Sequence, residues 1–197
     1  IERCIEERGI NMETRPLFID DFEPIEPCRL AYNVFTDFTT ELADDFLNWI
    51  FEVEEYNDYL EMLGMELPAV TINIMSNGGD LFALFAMIDG LKLLDNKIIT
   101  RAFGIVASSA FFLFLHGDVR IAGPKVCFLY HKISMELPLT NLNSVHKQVN
   151  EMYHYQDKLD QFVVNQTNIT QAQLDTYNKE DWLIYYDEAK ELGIVTE

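Results

Sequence analysis

The chain has 197 residues, 49% hydrophobic and 24% charged, which suits one folded domain with a sizeable core and excludes a disordered chain. Its 14 Lys and Arg against 33 Asp and Glu give a formal net charge of -19, a balance that repels phosphate backbones and argues against a nucleic-acid partner. Cys4, Cys28 and Cys127 lack metal-ligand spacing and are expected as free thiols in a reducing compartment, while the longest apolar stretch, Ile105 to Leu115, is interrupted by Ser108 and Ser109 and is too short to span a bilayer.

Residues 1–28 mix charges with Pro16, Pro24 and Pro27 and show no sustained period, so they read as an irregular arm. No basic region followed by an apolar core stands there, and no secretory signal is expected within these residues. Arg29 to Phe35 reads as a first strand. Thr40 can cap a helix from Glu41 to about Leu63, with Leu42, Phe46, Ile50, Val53, Tyr56 and Leu60 on one face. A strand from Val70 to Met75, a helix from Leu81 to Leu94 and a strand from Ile98 to Phe103 follow. Ser108 to Leu115 reads as a helix apolar on all sides and therefore buried, and Val119 to Ile121 and Val126 to Tyr130 as short strands. Beyond them Leu142, Val145, Val149, Met152, Leu159 and Val163 recur at spacings of three and four, with Gln156 interrupting, which predicts a long amphipathic helix over about 141–166. Such a stripe packs on its own domain or pairs with another subunit.

Strand and helix alternate, so the predicted fold class is α/β with parallel strands and helical crossovers, whose active sites gather at strand carboxyl ends. Ser76-Asn77-Gly78-Gly79, Gly104 to Ser109 and His131 all follow strands directly. The first segment offers backbone N–H groups at a glycine turn, and the second offers a hydroxyl at a helix N-terminus, the parts of an acyl-transfer site. Paired glycines serve a tight turn equally well, and Ser108 alone could simply fill a helix–strand contact. A serine nucleophile needs a base oriented by a third group, and His131 alone among the four histidines directly follows an apolar strand. Glu151-Met152-Tyr153-His154 has the spacing of a carboxylate metal site but lacks the second such pair, so no metal is expected. A phosphate loop and a dinucleotide fingerprint are both missing.

Taken together, Ile74-Met75-Ser76-Asn77-Gly78-Gly79-Asp80, Gly104-Ile105-Val106-Ala107-Ser108-Ser109-Ala110, Pro124 to His131 and Lys179 to Ala189 with Leu192-Gly193-Ile194-Val195 resemble, in order, the motifs of the Clp protease proteolytic subunit family. The resemblance covers about residues 29–197 and implies a superhelix of repeated β-β-α units with a projecting handle helix, the fold shared with crotonases. It implies Ser108 as nucleophile, His131 as general base, Asp181 as the group that orients the imidazole, and the N–H groups of Gly78 and Ser109 as the oxyanion hole. It further implies unfolded polypeptide substrates, no cofactor, a heptameric ring or double ring, an AAA+ unfoldase partner that uses the ATP, and a cytoplasmic, organellar or phage-infected-cell setting. Asn77 stands where the family has a turn proline, and Lys132-Ile133-Ser134-Met135 where it has Q-P-x-G-G. Glu180 replaces an arginine used between rings, which points to a heptamer or a salt-dependent assembly. Other readings are a non-catalytic scaffold paralogue, a viral maturation protease on the same fold and a crotonase-type acyl-CoA enzyme; the last would place no Ser-His-Asp set at these positions.

Overall fold

Apolar periodicity is realised as twelve elements among the residues that the computed structural model describes, 28–134, 141–177 and 180–197. Apart from Cys28, the predicted arm lies outside them, as does Cys4. The elements are β1 (Ala31–Val34), α1 (Thr40–Met62), β2 (Val70–Ser76), α2 (Leu81–Leu91), β3 (Ile98–Ala107), α3 (Ser109–Phe114), β4 (Val119–Ala122), β5 (Cys127–Tyr130), α4 (Leu142–Gln166), α5 (Gln171–Thr176), β6 (Trp182–Tyr185) and α6 (Tyr186–Glu191). The helix predicted to be capped by Thr40 is capped one residue earlier. Thr39 is extended, and its hydroxyl accepts the Leu42 N–H at 3.2 Å.

The predicted α/β class holds. The strands run in the order β1-β2-β3-β5-β6, with β4 also beside β3. All pairs are parallel except β5–β6, an antiparallel pair that the alternation of elements did not foretell. β3 outlasts its predicted end because Gly104, at φ 55°, lets the strand turn and continue. Before that bend Ile99–Ala102 pairs with β4, and after it Ile105–Ala107 pairs with β5. One strand therefore serves β4 and β5 in turn as well as β2, and its last residue leads straight into Ser108.

One face of the sheet carries the core. Phe46, Ile50 and Val53 of α1, Leu84 and Met87 of α2 and every residue of α3 are buried together with Val70, Ile72 and Ile74. Within the core Asn57 and Asn96 exchange side-chain hydrogen bonds at 2.6 and 3.0 Å, and Asn96 also donates to Pro68 O at 2.8 Å. The Cys28 and Cys127 thiols are free and half-buried, and burial pushes both thiols up from their ordinary range.

The handle helix predicted over 141–166 is α4, 25 residues and roughly 38 Å long. Its buried residues, Gln156, Leu159, Asp160 and Val163, all lie in its C-terminal half. Leu142 is exposed, and Val145, Val149 and Met152 are only half-buried, so the N-terminal half presents its apolar stripe without a full cover from the described residues. No helix among the described residues is long and apolar enough to cross a membrane.

Arg120 of β4 ties the end of the chain to this body. Its guanidinium, 7% exposed as a residue, donates to the carbonyls of Ile194 (2.9 Å), Leu115 (3.4 Å), Gln166 (3.0 Å) and Gly193 (2.8 Å). Four carbonyls from the ends of α3, α4 and α6 thus share one guanidinium, and burial lowers its pKa. Arg120→Met should destabilise the fold by about 3 kcal/mol, because these carbonyls would lose their donor inside the protein. Urea unfolding measures this, and a change below about 1 kcal/mol would refute the role.

Candidate active site

β2 ends in an irregularity between Ile74 and Ser76, after which Asn77, Gly78 and Gly79 turn the chain into α2. Gly78 has φ 94° and Gly79 φ 141°, conformations that favour glycine. The turn is clamped from outside by Phe38, whose N–H donates to Gly78 O at 2.8 Å and whose carbonyl accepts the Asp80 N–H at 2.9 Å. A Cβ on Gly79 would lie 2.5 Å from Phe38 O. Asp80 then caps α2 by accepting the Ala83 N–H at 2.7 Å.

From the inside the turn meets Ser108, which joins β3 to α3 at φ 55° and ψ -125°. It is the one non-glycine residue with positive φ among the described residues, a conformation that costs about 1–3 kcal/mol and marks an imposed geometry. Its N–H donates to Leu129 O of β5 at 3.0 Å, and Ser109 Oγ donates to Gly79 O at 2.9 Å. A Cβ on Gly78 would sit 2.6 Å from Ser108 Cβ and 2.9 Å from Ser109 N. The two predicted oxyanion donors, Gly78 and Ser109, are therefore neighbours. The Ser109 N–H opens α3, where a helix has no internal acceptor, while the Gly78 N–H donates to the buried Ser76 Oγ at 3.1 Å.

Sheet register brings in the other two residues. Ala107 pairs with Leu129 at the end of β3 and β5, and His131 follows one residue beyond Tyr130. Tyr130 pairs with Trp182 in the antiparallel β5–β6 ladder, so one further step sets His131 opposite Asp181. Ser108, His131 and Asp181 thus share one end of three adjacent strands. Their side chains are not bonded to one another: among the described residues no hydrogen bond joins the three, and His131 Nδ1–H donates to Lys132 O at 2.6 Å. Asp181 is exposed, and Ser108 and His131 are half-buried. Glu180, beside Asp181, is exposed as well.

Each of these residues has a buried anchor as its neighbour in the chain. Ser109 holds Gly79, as above. Trp182 stacks on Tyr177 at 4.3 Å between ring centroids and donates from its indole N–H to Glu188 Oε1 at 3.3 Å. Tyr130, 1% exposed, donates to Asp160 Oδ1 at 2.5 Å, and burial together with Asp160 pushes its phenol pKa far up. Asp160 and Gln156 were missed from the sequence as parts of this region. Their signal was the polar break in the apolar stripe of the handle, with Gln156 placed where an apolar residue was due.

The arrangement supplies a hydroxyl on a constrained turn, backbone donors beside it, and an imidazole with a carboxylate across the adjacent ladder. That inventory suits nucleophilic attack on a carbonyl with oxyanion stabilisation. The family model described as Clp protease matches residues 58–197. The ATP-dependent Clp protease proteolytic subunit 1 of Rhodopirellula baltica is 25% identical over 130 residues, covering 64% of this chain and 56% of that protein. Subunit 2 of Borreliella burgdorferi is 26% identical over 144 residues, 70% of each chain. A point mutant of ClpP1 from Listeria monocytogenes superposes with a TM-score of 0.71 over 84% of this chain and 88% of its own, at 19% identity, a likeness of fold.

Gly78→Ala should cost about 3 kcal/mol in urea unfolding, since the added methyl collides with the serine turn and the backbone of Gly78 is left-handed. Gly64→Ala provides the contrast: φ is 68°, but nothing lies within 4 Å of the added Cβ, so about 1 kcal/mol is expected. Equal losses at the two positions would show that close approach to Ser108 does not matter.

Proposed function

The chain belongs to the Clp protease family, and on that premise we propose that it is a serine-type endopeptidase cleaving unfolded polypeptides through an acyl-enzyme. The observation that supports this most is the shared strand end: β3, β5 and β6 carry Ser108, His131 and Asp181 in register. In the proposed reaction His131 Nε2 takes the proton of Ser108 as Oγ attacks the scissile carbonyl. The N–H groups of Gly78 and Ser109 receive the oxyanion, the Gly78 N–H leaving Ser76 Oγ to do so. As the tetrahedral intermediate collapses, the imidazolium gives its proton to the leaving amine. Water, activated by the same imidazole, then releases the acyl group. Asp181 stabilises the charged imidazole, and the chemistry asks for no cofactor. ATP would be spent by an AAA+ unfoldase that delivers substrate.

We place this activity inside a homo-oligomeric ring, heptameric and paired into a double ring or stopped at one, in a cytoplasmic or organellar compartment. Support comes from the half-covered stripe Val145, Val149 and Met152 on the handle, and from Met75, Phe103, Leu183 and Tyr185, which lie exposed on sheet strands. A viral maturation protease would share this chemistry and differ in the assembly that confines it. A non-catalytic scaffold is the second reading, and it is favoured by one contact, the His131 Nδ1–H on Lys132 O in place of Asp181.

Labelling with a fluorophosphonate probe separates them. The parent should react, Ser108→Ala should not, and His131→Ala should react at least about 100-fold more slowly. A folded, assembled parent that takes up no probe is a scaffold. For the assembly, the pair Val149→Asp and Met152→Asp should lower the mass seen by light scattering while leaving the circular dichroism of the protomer intact. An unchanged mass would remove the handle from the interface.

A further inference from the structure

The residues on either side of His131 are fastened to α4 at Asp160, and Ile133 is fastened one helical turn away at Gln156. Tyr130 O–H donates to Asp160 Oδ1 at 2.5 Å, and the Lys132 ammonium pairs with Asp160 Oδ2 and lies 5.5 Å above the Tyr130 ring. Gln156 Nε2 donates to Asp160 Oδ1 at 2.7 Å, and Gln156 Oε1 accepts the Ile133 N–H at 2.6 Å. The Asp160 carboxylate, with a side chain 6% exposed, thus has three donors, and Lys132 is its counter-charge. Within this run the His131 ring bonds instead to the adjacent backbone, at the carbonyl of the same Lys132 that the ion pair holds.

That contact has a definite chemical meaning. A carbonyl acceptor on Nδ1–H selects the tautomer with Nε2 free, the one a serine nucleophile needs. Unlike a carboxylate, it carries no charge to stabilise the imidazolium that forms next. Register offers a carboxylate across the ladder, Asp181, that the ring does not use.

We propose that Lys132 and Asp160 form a latch, a positioning pair that fixes the Lys132 peptide so that its carbonyl keeps the His131 ring away from Asp181. The latch makes the base weakly competent at rest and subjects it to the handle, because Asp160 moves with α4. Release of the ion pair frees the peptide of Lys132 to turn, and the ring then exchanges a neutral acceptor for Asp181. This inference rests on the reading of His131 as the base, and neither residue of the latch touches the reacting atoms.

The test uses Asp160→Asn, which keeps an oxygen for Tyr130 but removes the charge that holds Lys132, and Lys132→Gln as a second variant should the first fail to fold. The His131 pKa is followed by NMR of histidine-labelled full-length protein, and Ser108 reactivity by the rate of fluorophosphonate labelling. Loss of the Asp160 charge would by itself lower the His131 pKa, whereas loss of the Lys132 charge would by itself raise it, so in Lys132→Gln the dependence of the rise on Asp181 decides. For Asp160→Asn the latch predicts the opposite, a rise of about one unit from the new Asp181 partner, abolished when Asp181→Asn is added. Labelling should quicken by about tenfold. A pKa rise without labelling keeps the latch and defeats the peptidase reading. Folded variants whose His131 pKa stays or falls, or whose labelling slows, overturn the latch.

Discussion

Ser108 is held at φ 55° by contacts from every strand near it, and the rest of the site depends on that constraint. A serine released from such a turn would relax toward ordinary backbone, so the conformation persists because its surroundings over-determine it. Leu129 accepts its N–H, α3 begins from its carbonyl, and Gly78 lies so close that a single methyl would force the two turns apart. Gly79 is in turn pressed against Phe38 from the far side. The loop before α1, the end of β2, the end of β3 and the end of β5 thus converge on one residue. The buried aromatic run of α3, Phe111, Phe112 and Phe114, anchors it from below. Local strain is therefore offset by core packing, and Ser108 is left half-buried at the carboxyl end of β3.

Much of this was legible in the sequence because the relevant signals are local. Paired glycines after an apolar strand, a serine before an all-apolar helix and a histidine at a strand end each declare themselves within a few residues. The limits are as physical as the successes. Thr39 and Thr40 are chemically equivalent as caps, and only backbone geometry distinguishes them. β3 runs through Gly104, where a sequence reading stops a strand, because glycine there accommodates a left-handed bend without ending the pairing. β6 has only four residues, and its direction follows from packing at a distance.

Polar residues that work over long range left the faintest trace. Arg120 has an ordinary place in the sequence, yet it gathers carbonyls from three helix ends. Gln156 was visible only as a flaw in an apolar stripe. In the fold that flaw is the point where the handle stops presenting an apolar face and bonds to the strand that carries His131. The two halves of α4 consequently differ in role: the C-terminal half is embedded and hydrogen-bonded to the candidate site, and the N-terminal half extends with its apolar residues only partly covered.

If Ser108 acts as the nucleophile and Gly78 and Ser109 receive its oxyanion, a crystal structure of the protein after reaction with a fluorophosphonate will show it. The expected result is phosphorus bonded to Ser108 Oγ, with its oxygen within hydrogen-bond distance of both the Gly78 and Ser109 N–H groups. Phosphorus on another residue would rule out Ser108 as the nucleophile, and an oxygen turned away from those two donors would rule out the oxyanion hole.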